Sequence, residues 1–359
     1  MNKVYKFFIG ILTLCLLLFL GQKKLNAKEK DQDSKNIYFY NWGDYIDPEI
    51  IKDFEKETGY HVIYETFDSN EAMMAKVEQG KTSYDLAFPS EYTVEMMRDK
   101  KLLKKLDHKK IKGLDNIDQR FLNLSYDPNN EYSIPYFWGS FGIIYNNKKY
   151  KKEDFSSWKN LWDKKFEGEI LSFDGARETL GIGLLANGKN LNEKDEKILR
   201  ETKDDLVGFM KNVKAILADE IRMYMAQCEA DVGITFSGEV SMAKEINPNL
   251  SYAIPKEGSN IWFDTMVIPK TSKNTKGAYA LINYLLKPKV AAKNADYVWY
   301  PTPNKKAMKY IDKEARNDKT LYPDDEDIEK LEVFKNLGKE TTILYNDLFL
   351  DLKISPQAD

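Results

Sequence analysis

Residues 36–67 have the sequence NIYFYNWGDYIDPEIIKDFEKETGYHVIYETF, and this stretch decides the fold class. It begins with an apolar strand and continues with a helix that has Asp47 as its N-cap and Pro48 at its first position. The chain returns to a strand after Gly59, and a second helix, SNEAMMAKVEQG, and a third strand, SYDLAFP, follow at short intervals. This βαβαβ order predicts an α/β fold with a parallel sheet covered by helices.

The length of the chain predicts more than one compact unit. At 359 residues it exceeds the roughly 250–300 residues at which single hydrophobic cores stop growing. The strand, turn and helix rhythm resumes in EILSFDGARETLG and ADVGITFSGEVSMAKE, and EYSIPYFWGSFGIIYNNKKY predicts a long extended segment before them. The sequence therefore predicts two α/β lobes.

The first residues of the chain have the pattern of an export signal. Two lysines precede an apolar run at residues 7–21, which is shorter than the roughly 20 residues that a transmembrane helix needs. We expect residues 1–27 to form a signal peptide, or an N-terminal membrane anchor if they are retained, and residues 28–35 to form a linker. The mature protein would then lie at the outer face of the cytoplasmic membrane or in a periplasm. Only Cys228 remains after cleavage, which predicts no intrachain disulfide.

The composition argues against several functional classes. The formal net charge is -3, so no strongly basic surface for nucleic acid is expected. The two histidines, His61 and His108, lie far apart without metal-ligand spacing, and no nucleotide-binding loop of the GxxxxGK[ST] type is present. We expect no metal, no cofactor and no nucleic-acid partner.

Aromatic and acidic residues follow the predicted strands. In open parallel sheets ligands bind outside the carboxyl ends of the strands, because loops from several strands meet there. Aromatic faces attract an organic cation by about 0.5–2 kcal/mol each, and carboxylates bind its amine groups. The combination predicts a site for an organic cation. The segments are NWGDY at 41–45, PSEY at 89–92, SFDGARE at 172–178, TFSGE at 235–239 and WFDT at 262–265.

Two other interpretations of these acids remain open. Asp44 and Glu239, each taken alone, are expected as helix caps. Asp174 and Glu178 could in principle form a catalytic carboxylate pair of the kind that hydrolyses glycosides.

Several of these stretches, in order along the chain, resemble one family. YNWGDYIDPEIIKDFEKETG, YETFDSNEAM, YDLAFPSEY, YSIPYFWG, SWKNLW, DGARE, FSGE, WFDTMVIPK and YPTPN are similar to segments of the spermidine/putrescine-binding proteins of polyamine ABC transporters, the PotD type, particularly those of low-GC Gram-positive bacteria. The resemblance implies a type II, two-lobed periplasmic-binding-protein fold with a ligand cleft between the lobes. It implies discontinuous lobes, one of residues 36–140 plus 262–308 and the other of residues 141–261 plus 309–359.

The resemblance also implies roles for individual residues. Asp264 and Glu178 would bind ammonium groups, Ser90 would help to hold an amine, and Asp44 would lie near one end of the ligand. Asp174 would be a further acid of the cleft, and Phe236 an apolar ring of the second lobe. The aromatic box around the ligand would consist of Trp42, Tyr45, Tyr92, Trp262 and Tyr300.

This chain departs from the Gram-negative family pattern at four positions. Gly43 replaces a threonine, Gly175 replaces the second of two aspartates, Phe236 replaces a tryptophan, and Phe334 replaces a glutamine. These changes bear on which polyamine is preferred more than on the class of ligand.

The sequence therefore predicts a monomeric solute receptor, and not an enzyme. It would close its lobes over spermidine or putrescine and deliver the ligand to the membrane permease of an ABC transporter. The alternatives are a binding protein of the same fold for a sugar, thiamine or ferric ion, an exported hydrolase that uses paired carboxylates, and a purely adhesive or interaction protein.

Overall fold

The structure, a computed structural model, describes residues 35–354. The predicted signal peptide or anchor at residues 1–27 lies outside the described residues, as does all but the last residue of the predicted linker. Within residues 35–354, no helix combines the length and the apolar character needed to cross a membrane.

The described chain alternates strands and helices, with short 3-10 turns between residues 108 and 166. The strands are β1 (Asn36–Trp42), β2 (His61–Phe67), β3 (Leu86–Ala87), β4 (Ser133–Asn146), β5 (Ile170–Phe173), β6 (Val213–Leu217), β7 (Val232–Phe236), β8 (Leu250–Ala253), β9 (Ser259–Val267) and β10 (Leu331–Glu332). The helices are α1 (Pro48–Thr58), α2 (Asn70–Gln79), α3 (Glu91–Asp99), α4 (Ala176–Ala186), α5 (Glu196–Met210), α6 (Ile221–Ala226), α7 (Ser237–Ile246), α8 (Thr275–Leu285), α9 (Pro288–Val298), α10 (Lys313–Asn317), α11 (Asp325–Ile328) and α12 (Lys339–Ile354).

The first strand–helix–strand unit forms as its sequence predicts. The Asp47 side chain accepts a hydrogen bond from the Glu49 amide at 2.9 Å, and Pro48 is the first residue of α1. The helix ends at Gly59, whose φ of 73° is the left-handed conformation that glycine adopts most easily. Strand β1 pairs in parallel with both β2 and β3, which confirms the βαβαβ prediction.

The sheet as a whole is mixed, whereas the sequence predicts a parallel one. Strand β9 runs antiparallel to β3 and β4, and β4 runs antiparallel to β7 and β8. The directions of β4 and β9 could not be read from the sequence, because their pairing partners lie far away along the chain. The strand order is β2-β1-β3-β9-β4-β7-β5-β6, with β8 beside β4 and β10 beside β9.

Strand β4 belongs to two groups of strands. Ser133–Ser140 pair with β9, whereas Phe141–Tyr145 pair with β7. We call the group of β1, β2, β3, β9 and the first part of β4 the first lobe. The group of β5, β6, β7, β8 and the second part of β4 is the second lobe.

Each lobe has its own buried apolar residues. Phe39, Phe54 and Ile282 belong to the core of the first lobe, and Trp158 and Leu206 to that of the second. The segment predicted to complete the second lobe is residues 309–359, and its described part, residues 309–354, divides between the two. Its earlier part packs on the first lobe through Ile311 and Tyr322, and α12 packs in the second through Tyr345 and Leu348. The exact residue bounds of the lobes stay a prediction.

Candidate functional site

Asp264 on β9 is the centre of the candidate site. Only 6% of its surface is exposed, and both carboxylate oxygens accept hydrogen bonds from hydroxyl groups. Tyr45, in the loop after β1, donates to Oδ2 at 2.6 Å, and Ser90, just before α3, donates to Oδ1 at 2.7 Å. The ends of the parallel strands β1 and β3 therefore converge on one carboxylate, as the strand-end rule predicts for Tyr45 and Ser90. The prediction that residues 262–265 follow a strand is wrong, because Asp264 lies inside the antiparallel strand β9.

The charge of Asp264 has no cationic partner in the part of the chain that the structure describes. Within residues 35–354, no lysine, arginine or histidine nitrogen lies within ion-pair distance of its carboxylate. Burial raises the pKa of Asp264 to about 6, although the hydrogen bonds from Tyr45 and Ser90 oppose the rise. A buried carboxylate that only neutral groups contact is a favourable place for a bound cation.

A row of aromatic rings extends from Asp264 into the second lobe. The ring of Tyr45 lies 5.9 Å from that of Tyr300, and the ring of Tyr300 lies 5.0 Å from that of Trp262 at an interplanar angle of 83°. Trp262 in turn meets Phe236 of the second lobe at 6.2 Å and 88°. Predicted residues from both lobes are thus in mutual contact beside the carboxylate.

Gly139 makes room for the indole of Trp262. The two residues are directly opposite each other in the β4–β9 pairing. A Cβ atom at position 139 would lie 2.6 Å from Cζ2 of Trp262, which is closer than any normal contact. The orientation of Trp262 therefore requires glycine, a residue without a side chain, at position 139.

Asn70 organises the other side of the carboxylate, and sequence reasoning assigned it no role. Its Nδ2 donates to the hydroxyls of Ser90 and Tyr92 at 3.0 Å each, and its Oδ1 accepts the Ser90 amide at 3.1 Å. Tyr92 belongs to α3, but its side chain packs against the core of the second lobe. The strand-end rule could have found Asn70, because it begins the helix that follows β2.

Trp42 has a fixed orientation at the end of β1. Its indole N–H donates to the carbonyl of Phe88 at 2.9 Å, and its ring lies 4.5 Å from that of Phe67. The predicted tryptophan therefore belongs to the same group of strand ends as Tyr45 and Ser90.

Glu178 lies in the first turn of α4, folded over Gly175. A Cβ atom at position 175 would lie 2.1 Å from Oε2 of Glu178, so the glycine provides the space that this carboxylate occupies. Burial raises the pKa of Glu178, and the neighbouring charge of Arg177 opposes the rise. The second lobe thus contributes a half-buried carboxylate of its own.

The structure does not bring two predicted acids into this group. Asp174 forms an ion pair with Lys353 of α12 at 2.8 Å, and 43% of its side chain is exposed. Asp44 is exposed at a turn with φ of 48°. The ion pair of Asp174 also leaves no support for its pairing with Glu178 as catalytic carboxylates.

Glu239 has a larger role than the helix cap that its sequence position predicts. It is 6% exposed, accepts a long hydrogen bond of 3.4 Å from the Tyr300 hydroxyl, and lies 3.1 Å from Nη1 of Arg222. Burial raises the pKa of Glu239 to about 7, and Arg222 opposes the rise. Because Arg222 offsets its charge, Glu239 can orient Tyr300 across the two lobes but is not a second uncompensated acid.

No group of three or more His, Cys, Asp or Glu side chains in the described part of the chain is placed to hold a metal ion. The chemistry available at the site consists of carboxylates from both lobes, of which Asp264 is buried and Glu178 half-buried, together with hydroxyl donors and aromatic faces.

The fold and the site are those of a solute-binding protein, and comparison with known families gives the same class. Residues 49–323 match the family of bacterial extracellular solute-binding proteins. The chain belongs to this family and has its two-lobed type II periplasmic-binding-protein fold.

Particular relatives are close in sequence and structure. The spermidine/putrescine-binding periplasmic protein of Escherichia coli K12 is 38% identical over 337 residues, which cover 94% of this chain and 95% of that protein. A putative spermidine/putrescine ABC transporter protein from Listeria monocytogenes is 50% identical, with a TM-score of 0.82 over 89% of this chain and 99% of that one. The spermidine/putrescine ABC transporter substrate-binding protein PotD from Streptococcus pneumoniae is 51% identical, with a TM-score of 0.83 and the same coverage.

Proposed function

We propose that the protein is an extracytoplasmic receptor that captures a polyamine, spermidine or putrescine, between its two lobes. The observation that carries this proposal is Asp264, a buried carboxylate with two hydroxyl donors and, among residues 35–354, no cationic partner. An ammonium group supplies the missing charge. The names of the similar proteins support the same ligand class.

Ligand contacts come from both lobes, so the ligand favours the closed form. Asp264 binds one ammonium group and Glu178 binds a second. The methylene chain between them lies against aromatic faces, and Phe236 contributes an apolar face without a hydrogen-bond donor. The aromatic residues of the site are Trp42, Tyr45, Tyr92, Trp262, Tyr300 and Phe236.

The closed receptor docks on the permease of an ABC transporter in the membrane and releases the polyamine there, without any chemical change to the ligand. It works as a monomer outside the cytoplasmic membrane, either free in a periplasm or held by residues 1–27. The names of the relatives, which describe periplasmic and ABC-transporter binding proteins, support this placement.

The proposal is tested by calorimetric titration of the purified, ligand-stripped protein with putrescine, spermidine and spermine. We expect one-to-one binding that weakens as sodium chloride is raised, because added salt screens the attraction between the polycation and the acidic cleft. A neutral sugar, thiamine and ferric ion serve as comparison ligands. Tight binding of one of these, with no heat from any polyamine, would refute the proposal.

Polyamine affinity should fall as the pH is lowered from 7 to 5. The pKa of Asp264 in the ligand-free protein is raised to about 6 from an ordinary 3.8, so below pH 6 an ammonium must displace a proton. One displaced proton weakens binding by up to about tenfold per pH unit. For the same reason, protonation of Asp264 favours the ligand-free folded state as the pH falls from 6 towards 4. A dissociation constant that does not change between pH 7 and 5 would contradict this assignment.

A further inference from the structure

Glu91, the first residue of α3, is buried and has no part in the ligand contacts proposed above. Only 1% of its surface is exposed. Its Oε2 accepts the backbone N–H of Phe263 at 3.0 Å. Phe263 lies on β9 between Trp262 and Asp264, and Glu91 itself follows Ser90. One side chain therefore connects the two segments that meet at the candidate amine site.

We propose that Glu91 is a positioning residue that holds Asp264 and Ser90 together, and thereby sets the geometry of the ammonium site. This inference rests on the proposed function and adds to it a residue that would not touch the ligand. Asp264 and Ser90 face each other in an isolated antiparallel bridge between β9 and the residue before α3. The Glu91 carboxyl joins the neighbouring residues of the same two segments, because it accepts the backbone N–H of Phe263.

The Phe263 amide depends on this contact. Phe263 is 1% exposed, so its N–H cannot turn to water if the carboxyl is removed. A buried amide without a partner is unfavourable, and the strand would shift to satisfy it. Such a shift would carry Trp262 and Asp264 with it, because they flank Phe263 in the same strand.

Glu91 acts mainly as a hydrogen-bond acceptor. Burial raises its pKa to about 8, the Phe263 amide opposes the rise, and the charge of Asp264 adds to it. The other groups that face it are Arg177 of α4 and the phenols of Tyr92 and Tyr126. A glutamine at position 91 would keep an oxygen for the Phe263 amide, whereas an alanine would not.

The test compares Glu91→Ala with Glu91→Gln in the full protein. At pH 7 we expect Glu91→Ala to weaken putrescine and spermidine binding at least tenfold, and Glu91→Gln to stay within threefold of the unmodified protein. Val94→Ala is the matched control, because Val94 is fully buried one turn further along α3 and does not touch β9 through a polar group. It should lower thermal stability without changing affinity at temperatures well below the unfolding transition.

Hydrogen exchange of the Phe263 amide provides a readout that needs no ligand. Exchange should remain slow in the unmodified protein, in Glu91→Gln and in Val94→Ala, and should accelerate at least tenfold in Glu91→Ala. If Glu91→Ala does not fold, the affinity of Glu91→Gln still tests the proposal. A loss of polyamine affinity above tenfold in Glu91→Gln would overturn the role of Glu91 as a hydrogen-bond acceptor.

The outcomes separate this inference from the proposed function. Absence of polyamine binding in the unmodified protein refutes the function, and the Phe263 exchange rates then judge whether Glu91 holds the strand. Normal binding in the unmodified protein, combined with equal loss in Glu91→Ala and Val94→Ala, shows only a loss of stability and overturns the positioning role. Unchanged affinity in Glu91→Ala overturns it as well.

Discussion

Replacing Asp264 with asparagine is expected to weaken polyamine binding by about 100-fold. Truncating one partner of a buried hydrogen-bonded charge pair costs about 2–5 kcal/mol, and about 2.7 kcal/mol corresponds to a factor of 100. The fold should persist, because asparagine is of the same size and the hydroxyls of Tyr45 and Ser90 can rotate to accept its amide. Calorimetric titration with spermidine measures the change.

The matched control for this variant is Asp174→Asn. The sequence predicts both aspartates as ligand-binding acids, but Asp264 lies buried on β9, whereas Asp174 follows β5 and pairs with Lys353 at the surface. We expect its replacement to change affinity less than threefold, because exposed ion pairs contribute at most about 1 kcal/mol. Equal losses from the two replacements would show that the cleft uses Asp174 and that the geometry described above is not the ligand-binding one.

Replacing Gly139 with alanine is expected to displace Trp262 and to reduce both stability and affinity. A Cβ at position 139 would lie 2.6, 2.8 and 3.0 Å from three atoms of the indole, which is rigid and cannot bend away. Overpacking of this kind costs about 1–3 kcal/mol of stability. Loss of one aromatic face from the ligand should weaken spermidine binding on the order of tenfold. Thermal unfolding and calorimetric titration measure the two effects.

Gly43→Ala is the control for the glycine replacement. Gly43 also adjoins a predicted tryptophan of the site, but a Cβ atom there would have no neighbour within 4 Å. Neither stability nor affinity should change measurably. If Gly139→Ala also left stability and affinity unchanged, Trp262 would have room to move. Its contact with Gly139 would then not fix the geometry of the site.

Local signals made the strand–helix units of β1, β2 and β3 in the first lobe predictable from the sequence. Capping residues and proline act within a few positions of their own place in the chain, so α1 and its ends follow from Asp47, Pro48 and Gly59. Pro288 is likewise the first residue of α9, a position that proline favours. The carboxyl ends of the parallel strands β1 and β3 meet by geometry, so the proximity of Tyr45 and Ser90 follows from that rule. The position of Asp264 does not follow from it, because Asp264 lies inside the antiparallel strand β9.

Partners distant in the chain made the remaining features unpredictable. Asp174 appears as a strand-end acid until Lys353, 179 residues later, is known to pair with it. Glu239 likewise pairs with Arg222 and accepts a hydrogen bond from Tyr300 only because separate elements pack together. Gly175 looks like the loss of an acid, but its missing side chain provides the space for Glu178. In each case the decisive fact is which atoms occupy the neighbouring space.

The most direct test of the account is a crystal structure of the protein with spermidine bound. We expect one ammonium nitrogen within hydrogen-bonding distance of the Asp264 carboxylate, a second beside Glu178, and the methylene chain against the rings of Trp262 and Tyr300. A spermidine molecule bound elsewhere, or bound in the cleft with no nitrogen near Asp264, would contradict it.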